Sequence, residues 1–373
     1  MRTGTEQPAP DQPAQGESRP DSGWAVVGID NGGNTNNATV LDSTGRFLVD
    51  GLLEMPSRVL EGPAVAVESM AAALDNVLAV TGISRSSVRA VGLDTPGPAS
   101  ATGVISSRGS TNFSDPAWFS FDIRGALQQR TGLPVVYSND ANAAALYAHH
   151  LHFGPVAAQR SSVSAIVGTG LGGGIVEAGT IISGAAGMAG ELGHVHIPMQ
   201  GLLEEGQPIP QCNCGFAGDA ESIASLSGIA NNLLPYWLSR YPGHPLASED
   251  IRTAAKLVRG YGERGDELAL RIFEQQAMAI GRLFTVAANF TDPNTYFLGG
   301  GVVETTPDFR DWFLGRVRTH TQLRAEQLTL ATFALVPDRD MAGARGSAIA
   351  ALGSLQTSEG TAPAATDAAA PAS

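Results

Sequence analysis

Lysine is almost absent from this chain of 373 residues, because Lys256 is the only one. The formal net charge is -13, and no cluster of lysine and arginine appears anywhere along the sequence. A nucleic-acid-binding protein normally carries such a basic patch, since phosphate contacts provide much of its affinity. The composition therefore argues against nucleic-acid binding. An anionic substrate would have to be held by backbone N–H groups, metal ions or arginine.

Long apolar runs and cysteines are also scarce. The N-terminus has no apolar stretch of the kind that a signal peptide contains, and no run is expected to reach transmembrane length. These features predict a cytoplasmic protein without a membrane partner. The two cysteines, Cys212 and Cys214, are separated by one residue. That spacing is too short for an ordinary disulfide and is better suited to a metal.

The composition divides the chain into a folded middle and two polar ends. Residues 1–22 are rich in Pro, Gln, Gly, Asp and Glu, and residues 356–373 are rich in Ala, Pro, Thr and Ser. Both segments are predicted to be disordered tails, because they have little apolar surface to bury. The chain between them is too long for one ordinary core and is expected to form two packed lobes.

Between the tails, short apolar runs alternate with amphipathic segments, which predicts an α/β architecture. Predicted strands lie at 24–29, 38–41, 88–93, 133–137, 163–167 and 295–298. Predicted helices lie at 64–80, 141–150 and 266–288. Each half of the chain opens with a strand, a glycine turn and a second strand. This echo suggests two lobes of related design.

Three glycine-rich loops each follow a predicted strand, where glycine would let the backbone approach a phosphate closely. Their candidate phosphate-binding residues are Asp30, Gly32, Gly33, Asn34 and Thr35 in the first loop, Gly168, Thr169 and Gly170 in the second, and Gly299, Gly300 and Gly301 in the third. Asp30 ends its strand and could hold Mg²⁺ or its water shell. Ordinary hairpin turns have a similar composition, but three such loops in one chain favour nucleotide binding.

The second loop, Gly168–Gly174, contains the pattern GxGxxG of dinucleotide-binding proteins. That fingerprint requires a helix directly after the glycines. Residues 175–182 are strand-like instead. The sequence therefore excludes a Rossmann fold here and leaves a turn between two strands.

These motifs together resemble the ROK family, which contains bacterial glucokinases, other hexose and N-acetylhexosamine kinases, and sugar-responsive repressors. The resemblance covers about Trp24 to Leu355. The matching segments are Asp30-x-Gly-Gly, Asp94-Thr-Pro-Gly-Pro98, Asn139-Asp140-Ala-Asn142-Ala-Ala, Gly168–Gly174, Ala189-Gly-Glu-Leu-Gly-His194 and Cys212-x-Cys-Gly-x-x-Gly218.

The resemblance implies a two-lobed, actin-like ATPase fold, as in sugar kinases, Hsp70 and actin, with a cleft between the lobes. The N-terminal lobe would span 23–147 and be closed by a C-terminal helix at 343–355. The C-terminal lobe would span 148–342. The family commonly forms dimers, so a homodimer is expected.

The resemblance also implies ATP-dependent phosphorylation of a hexose hydroxyl, most simply the conversion of glucose to glucose 6-phosphate and ADP, with Mg²⁺ as cofactor. Asp140 would be the general base, although an aspartate here could also cap the following helix. The residues expected to bind sugar hydroxyls are Asn139, Glu191, His194 and Glu221. The stretch that completes the family's sugar pocket includes Gly109, Asn112 and Asp122.

Two positions depart from the family pattern. Asn34 stands where threonine usually follows the first Gly-Gly, and Asp219 stands where the zinc loop usually has a third cysteine. His194, Cys212, Cys214 and Asp219 could still form a tetrahedral zinc site, since Zn²⁺ accepts carboxylate oxygen. Such a zinc ion would fold the loop and orient His194 towards the sugar. A loop without metal is the alternative.

The sequence also supports a prediction for three further histidines and leaves several alternative functions open. His149, His150 and His152 follow the Asp140 segment and are predicted to form a solvated helix end. Only 29 residues precede Asp30, too few for the helix-turn-helix of a repressor. The alternatives left open are a kinase for N-acetylmannosamine, fructose or a cyclitol, a polyphosphate donor, and a non-catalytic sugar sensor.

Overall fold

The first of two five-stranded sheets is built from the N-terminal half of the chain. The structure, a computed structural model, describes residues 23–97, 102–105, 113, 115–337 and 339–360. The strands of this sheet are β1 (Ala25–Asn31), β2 (Thr35–Asp42), β3 (Glu54–Pro56), β4 (Val88–Thr95) and β5 (Val135–Asn139), in the order β3-β2-β1-β4-β5. β1, β4 and β5 are parallel, so their carboxyl ends meet at one edge of the sheet.

The second sheet repeats this design in the C-terminal half. Its strands are β6 (Ser162–Val167), β7 (Leu171–Glu177), β8 (Thr180–Ile181), β9 (Thr295–Gly300) and β10 (Thr332–Leu335). The strands lie in the order β10-β9-β6-β7-β8. Read from β8, this order matches that of the first sheet, with β6 in the place of β1 and β9 in the place of β4. The echo seen between the two halves of the sequence is therefore confirmed as a shared topology.

Helices cover both faces of the first sheet and pack against the second. Their bounds are α1 (Pro63–Thr81), α2 (Ile123–Thr131), α3 (Asp140–Phe153), α4 (Leu226–Gly228), α5 (Leu234–Arg240), α6 (Ile251–Glu263), α7 (Glu267–Thr291), α8 (Pro307–His320), α9 (Ala325–Leu328) and α10 (Arg339–Gly360). α1 and α2 share a core with one face of the first sheet, and α10 covers the other face. The core of the second half includes α5, α6, α7 and α8.

Helix α1 has the length and composition of a membrane span, contrary to the expectation that no run reaches transmembrane length. Its best 18-residue window has a mean hydropathy of 1.4. Among the described residues no other helix passes this test. Met70, Leu74 and Val77 on α1 are fully buried against the first sheet. The apolar composition of α1 is therefore explained by its place in a protein core.

Helices α3 and α10 join the two halves. α3 begins where β5 of the first sheet ends and then packs against β7 of the second, where side chains at Gly172 and Gly174 would press on Ala141 and Ala145. α10 lies against β1, β4 and α3, and a Cβ at Gly92 on β4 would overlap the backbone of α10. The predicted lobe boundary at residues 147 and 148 falls within α3.

The prediction of a solvated helix end at the three histidines is wrong for His149, which is fully buried. Its Nδ1 lies 2.8 Å from Ser162 Oγ and its Nε2 lies 2.9 Å from the Ala157 carbonyl oxygen. His150 Nε2 lies 2.9 Å from the Gly179 carbonyl oxygen. The C-terminal end of α3 is packed against the second sheet, which a helix-end pattern alone cannot reveal.

We expect His149 to make the fold less stable in acid. Burial lowers the pKa of His149 from 6.5 to about 4, although the Ala157 carbonyl opposes this change. The unfolded chain therefore takes up a proton at a higher pH than the folded chain, and acidification favours unfolding. From pH 7 to pH 5 this one group should cost about 2 kcal/mol of unfolding free energy.

The measurement is chemical denaturation of the wild type and of His149→Gln at pH 7 and pH 5. The glutamine side chain cannot titrate, so the stability gap between the two proteins should shrink by that amount in acid. An equal gap at both pH values would contradict the assignment.

Candidate active site

Acidic side chains stand at or just beyond the carboxyl ends of the three parallel strands of the first sheet. Asp30 on β1 and Asp94 on β4 are register partners on neighbouring parallel strands, and each affects the pKa of the other. Asp94 is fully buried and accepts a 2.6 Å hydrogen bond from Ser347 Oγ on α10. Burial raises the pKa of both carboxyl groups, and the Asp30 charge raises that of Asp94 further.

Asp140 is the first residue of α3 and follows the end of β5. Its side chain is exposed along one side, yet the surrounding protein desolvates it enough to raise its pKa to about 6. The negative charges of Asp30 and Glu191 also raise this pKa, while the Ala141 N–H lowers it. Glu191 belongs to the C-terminal half of the chain, so Asp140 faces acidic groups from both halves.

The helix cap at α3 is Asn139 and not Asp140. Asn139 has extended backbone angles, and its Oδ1 accepts a 2.9 Å hydrogen bond from the Ala141 N–H. Asp140 Oδ1 accepts from the same N–H at 2.7 Å. Asn139 is therefore the N-cap of α3, and its Oδ1 is engaged in this contact.

The first two glycine loops form turns at the ends of strands, as predicted. In the first, the Gly32 N–H donates to the Thr35 carbonyl at 2.9 Å, and Asn34 is exposed. In the second, the Gly168 N–H donates to the Gly170 carbonyl at 2.9 Å, and Gly168 and Thr169 are exposed. Both turns present accessible backbone between antiparallel strands.

The third loop differs from the prediction, because Gly299 and Gly300 are buried within β9. Gly300 has a φ of 86°, and a Cβ there would overlap the Val167 backbone. A Cβ at Gly299 would lie 2.8 Å from Val336 Cγ2. These two glycines serve packing within the sheet. Gly301 alone lies in the turn after β9, and its carbonyl accepts a 2.6 Å hydrogen bond from Arg259.

The predicted sugar-binding residues Glu191, His194 and Glu221 lie together in the C-terminal half. Burial raises the pKa of Glu191, and the nearby Glu221 charge adds to that effect while His194 opposes it. Asp122 caps α2, because its Oδ1 accepts a 2.7 Å hydrogen bond from the Gly125 N–H. The predicted positions Gly109 and Asn112 lie outside the described residues.

The four predicted metal ligands converge. The donor atoms of His194, Cys212, Cys214 and Asp219 all lie within 4.8 Å of one another. His194 Nδ1 is 3.0 Å from Asp219 Oδ2, and Cys214 Sγ is 3.6 Å from the same oxygen. A tetrahedral zinc site with bonds of 2.0–2.3 Å requires ligand separations of roughly 3.3–3.8 Å. The cluster therefore fits the donor set and the size of a zinc site.

The electrostatics of the cluster suit a cation. Burial raises the pKa of the Cys212 thiol above its usual range, so a metal ion would have to displace the thiol proton on binding. Burial would also raise the pKa of Asp219, but hydrogen bonds from His194, Cys212 and the Ser222 N–H hold it below its usual value. Asp219 is fully buried and ionised, which is the arrangement in which a carboxylate needs a positive partner.

Neither Asp94 nor Ser347 was among the predicted functional residues. Asp94 had one available signal, since it ends a buried strand as Asp30 does. Ser347 had none, because its contact with Asp94 joins residues 253 positions apart.

Several known proteins are similar to this chain in sequence. The model of the ROK family matches residues 26–353. A glucokinase of Halalkalibacterium halodurans is 33% identical over 280 residues, which are 74% of this chain and 80% of that protein. An N-acetylmannosamine kinase of Citrobacter koseri is 32% identical over 233 residues, 62% of this chain and 70% of that protein.

Solved structures of two ROK proteins are also similar to this chain. A ROK hexokinase from Thermus thermophilus is 30% identical, with a TM-score of 0.70, and the match covers 90% of this chain and all of that one. A ROK family glucokinase from Streptomyces griseus, in complex with glucose and AMPPNP, is 26% identical with a TM-score of 0.61, over 88% and 99% of the two chains. The predicted two-lobed, actin-like fold is confirmed.

Proposed function

Since this chain belongs to the ROK family, we propose that it is a sugar kinase that transfers the γ-phosphate of ATP to a hexose hydroxyl, with glucose as the first candidate. The observation that carries the proposal is the position of Asp140. Its carboxylate is partly exposed where β5 ends, close enough to Asp30 in one half and Glu191 in the other for their charges to raise its pKa. A sugar and a nucleotide phosphate bound between the halves would meet there.

In the proposed reaction, Asp140 accepts the proton of the sugar hydroxyl, and the resulting oxygen attacks the γ-phosphorus of ATP. The bond to the β–γ bridging oxygen breaks and ADP leaves. The exposed backbone of the turns at Gly32–Thr35 and Gly168–Gly170 would hold the phosphates. Mg²⁺ would neutralise phosphate charge, and Asp30 supplies an oxygen donor of the kind that Mg²⁺ prefers.

The polar residues of the C-terminal half would bind the sugar. Glu191 offers acceptors for its hydroxyls, and the amide of Asn139 lies next to the base. His194 presents Nδ1 to Asp219, so the opposite ring nitrogen, Nε2, is the one left for a sugar hydroxyl. A zinc ion held by His194, Cys212, Cys214 and Asp219 would fix that ring orientation and supply no catalytic chemistry.

N-acetylmannosamine is the second candidate acceptor, favoured by the similarity to the Citrobacter koseri kinase. The cytoplasmic location stays a prediction from the apolar pattern of the sequence, and the homodimer stays a prediction from the family resemblance. Light scattering of the purified protein would test the dimer, with a mass of twice the chain as the expected result.

The proposed function is tested by ADP release from Mg-ATP with glucose, mannose, fructose, N-acetylglucosamine and N-acetylmannosamine. We expect turnover that depends on the sugar, with glucose giving the highest kcat/KM. A preference for N-acetylmannosamine would assign the second acceptor. Folded protein that releases no ADP with any of these sugars would contradict the proposal and favour a sensor.

The rate should depend on the ionisation of Asp140, because only the carboxylate accepts a proton. Its pKa of about 6 predicts that kcat/KM for the sugar rises tenfold per pH unit below pH 6 and levels off above it. Glu191→Gln removes a negative charge that raises this pKa, so its midpoint should lie at lower pH. A wild-type midpoint near 4, or an unchanged midpoint in the variant, would contradict this assignment.

A further inference from the structure

The turn between β6 and β7 is held in place by the segment 221–227. The Leu226 and Ser227 N–H groups donate to the Gly168 and Thr169 carbonyls, each at 3.0 Å. The Leu171 N–H donates to Glu221 Oε2 at 2.8 Å. The geometry of the second phosphate loop therefore depends on where the segment 221–227 lies.

The same segment is anchored in the metal cluster. Asp219, a cluster member, accepts a 2.9 Å hydrogen bond from the Ser222 N–H through Oδ1, and its carbonyl accepts from Ser222 Oγ at 2.7 Å. Cys212, another member, places its Sγ 3.4 Å from Glu221 Oε1. Glu221 thus has one carboxylate oxygen towards the cluster and the other towards the phosphate loop.

Glu221 has little freedom to move between these partners. A Cβ at Gly170 would lie 2.6 Å from Glu221 Oε2, and one at Gly193 would lie 3.3 Å from Glu221 Cβ. The Glu221 N–H also donates to the Gly193 carbonyl at 2.7 Å. Two glycines leave the space that this side chain fills. Each carboxylate oxygen has one partner and can accept a second hydrogen bond, so the contact of Glu221 with a sugar hydroxyl stays a prediction.

We propose that Glu221 is a positioning residue for nucleotide binding, through which the cluster of His194, Cys212, Cys214 and Asp219 sets the geometry of the Gly168–Leu171 loop. The proposal rests on the proposed function, since it takes that loop to bind ATP phosphates. It extends the role of the metal site from the sugar side of the reaction to the nucleotide side. Loss of the metal would then weaken nucleotide binding even when no sugar is present.

The first test is calorimetric titration of Mg-AMPPNP into zinc-loaded protein without sugar. Glu221→Ala leaves the Leu171 N–H without its partner and should bind at least about tenfold more weakly. Glu221→Gln keeps an oxygen that accepts this N–H and should bind nearly as well as the wild type. Glu205→Ala, in an exposed part of the preceding segment, is the matched control and should bind normally. Unchanged affinity in Glu221→Ala would overturn the proposal.

The second test removes the metal with a chelator. Chelation should weaken AMPPNP binding in the wild type but add little to the loss in Glu221→Ala, since the link is already broken there. Equal effects of chelation in both proteins would overturn the coupling.

Hydrogen exchange at the Leu171 amide separates this proposal from the proposed function. We expect faster exchange in Glu221→Ala and in chelated wild type, and protection in Glu221→Gln. This readout needs no ligand, so it decides the structural link even if the wild type fails to bind AMPPNP, a result that would count against the kinase proposal alone. Unchanged exchange in all three proteins would overturn the link.

Discussion

Asp140→Asn is expected to bind sugar and nucleotide with nearly wild-type affinity and to transfer phosphate about 10²–10⁴-fold more slowly. The amide has the shape of the carboxylate but cannot take the proton of the attacking hydroxyl. The binding groups for both substrates lie on other residues, so kcat should fall while the two dissociation constants stay nearly unchanged. The measurement combines a coupled assay for kcat with calorimetric titration of each ligand.

Asp140→Asn should also stabilise the fold, whereas a substitution that damaged the structure would destabilise it. The folded-state pKa of Asp140 lies above its ordinary value, so its ionisation above pH 6 opposes folding. Removing that charge should raise the melting temperature at pH 8 and have less effect at pH 5.

Asp250→Asn is the matched control for Asp140→Asn. Asp250 caps α6 with hydrogen bonds to the Arg252 and Thr253 N–H groups, and asparagine caps helices equally well. This variant should keep wild-type kcat. If Asp140→Asn retained more than a tenth of the wild-type kcat, or lost substrate binding instead, the base would have to be sought elsewhere.

Asp219→Ala is expected to reduce zinc affinity by about 100-fold or more, whereas Asp219→Cys should bind zinc at least as tightly as the wild type. Alanine removes one of four converging donors and leaves the Ser222 N–H without its acceptor. Cysteine supplies a softer donor at the same position. Competition with a chromophoric chelator measures the affinities, and elemental analysis gives the bound metal.

Thermal stability provides a second measure of the same site. A ligand that binds only the folded chain stabilises it by mass action, so chelation should lower the melting temperature of the wild type and of Asp219→Cys. It should lower that of Asp219→Ala by less, because this variant binds zinc more weakly. A wild-type protein that takes up no zinc at saturating concentration would contradict the proposed metal site.

Much of the fold could be predicted because its signals are local. The apolar runs at 24–29 and 163–167 are bounded by glycine turns, and each became the central strand of its sheet. The long helix predicted at 266–288 is α7, which extends three residues further. The closing helix predicted at 343–355 is the middle of α10, whose ends lack an apolar pattern that marks them.

The features that escaped prediction depend on contacts between distant segments. His149 is buried because α3 packs on β6 and β7, and nothing in the residues around it indicates that neighbour. Gly299 and Gly300 have the composition of a loop, yet the parallel pairing of β9 with β6 continues through them. A glycine pattern shows only that the backbone needs space, and here the space is filled by protein.

In the candidate site, too, local motifs could be predicted and contacts between distant segments could not. Cys212 and Cys214 are near neighbours in sequence, and with His194 and Asp219 they converge as the motif suggested. Glu221 was predicted to bind the sugar, and in the structure its Oε2 also accepts a hydrogen bond from the Leu171 N–H. A motif identifies the residue, whereas its hydrogen-bond partners depend on how the turn after β6 meets the segment 221–227.

Phosphoryl transfer to the sugar is tested most directly by ³¹P NMR of the wild-type protein with Mg-ATP and glucose, with 6-deoxyglucose as the matched acceptor that lacks the 6-hydroxyl. We expect the γ-phosphate signal to be replaced by that of one sugar phosphate, in equal amount to ADP, and 6-deoxyglucose to give neither product. Release of ADP with inorganic phosphate and no sugar phosphate would contradict phosphoryl transfer to a sugar.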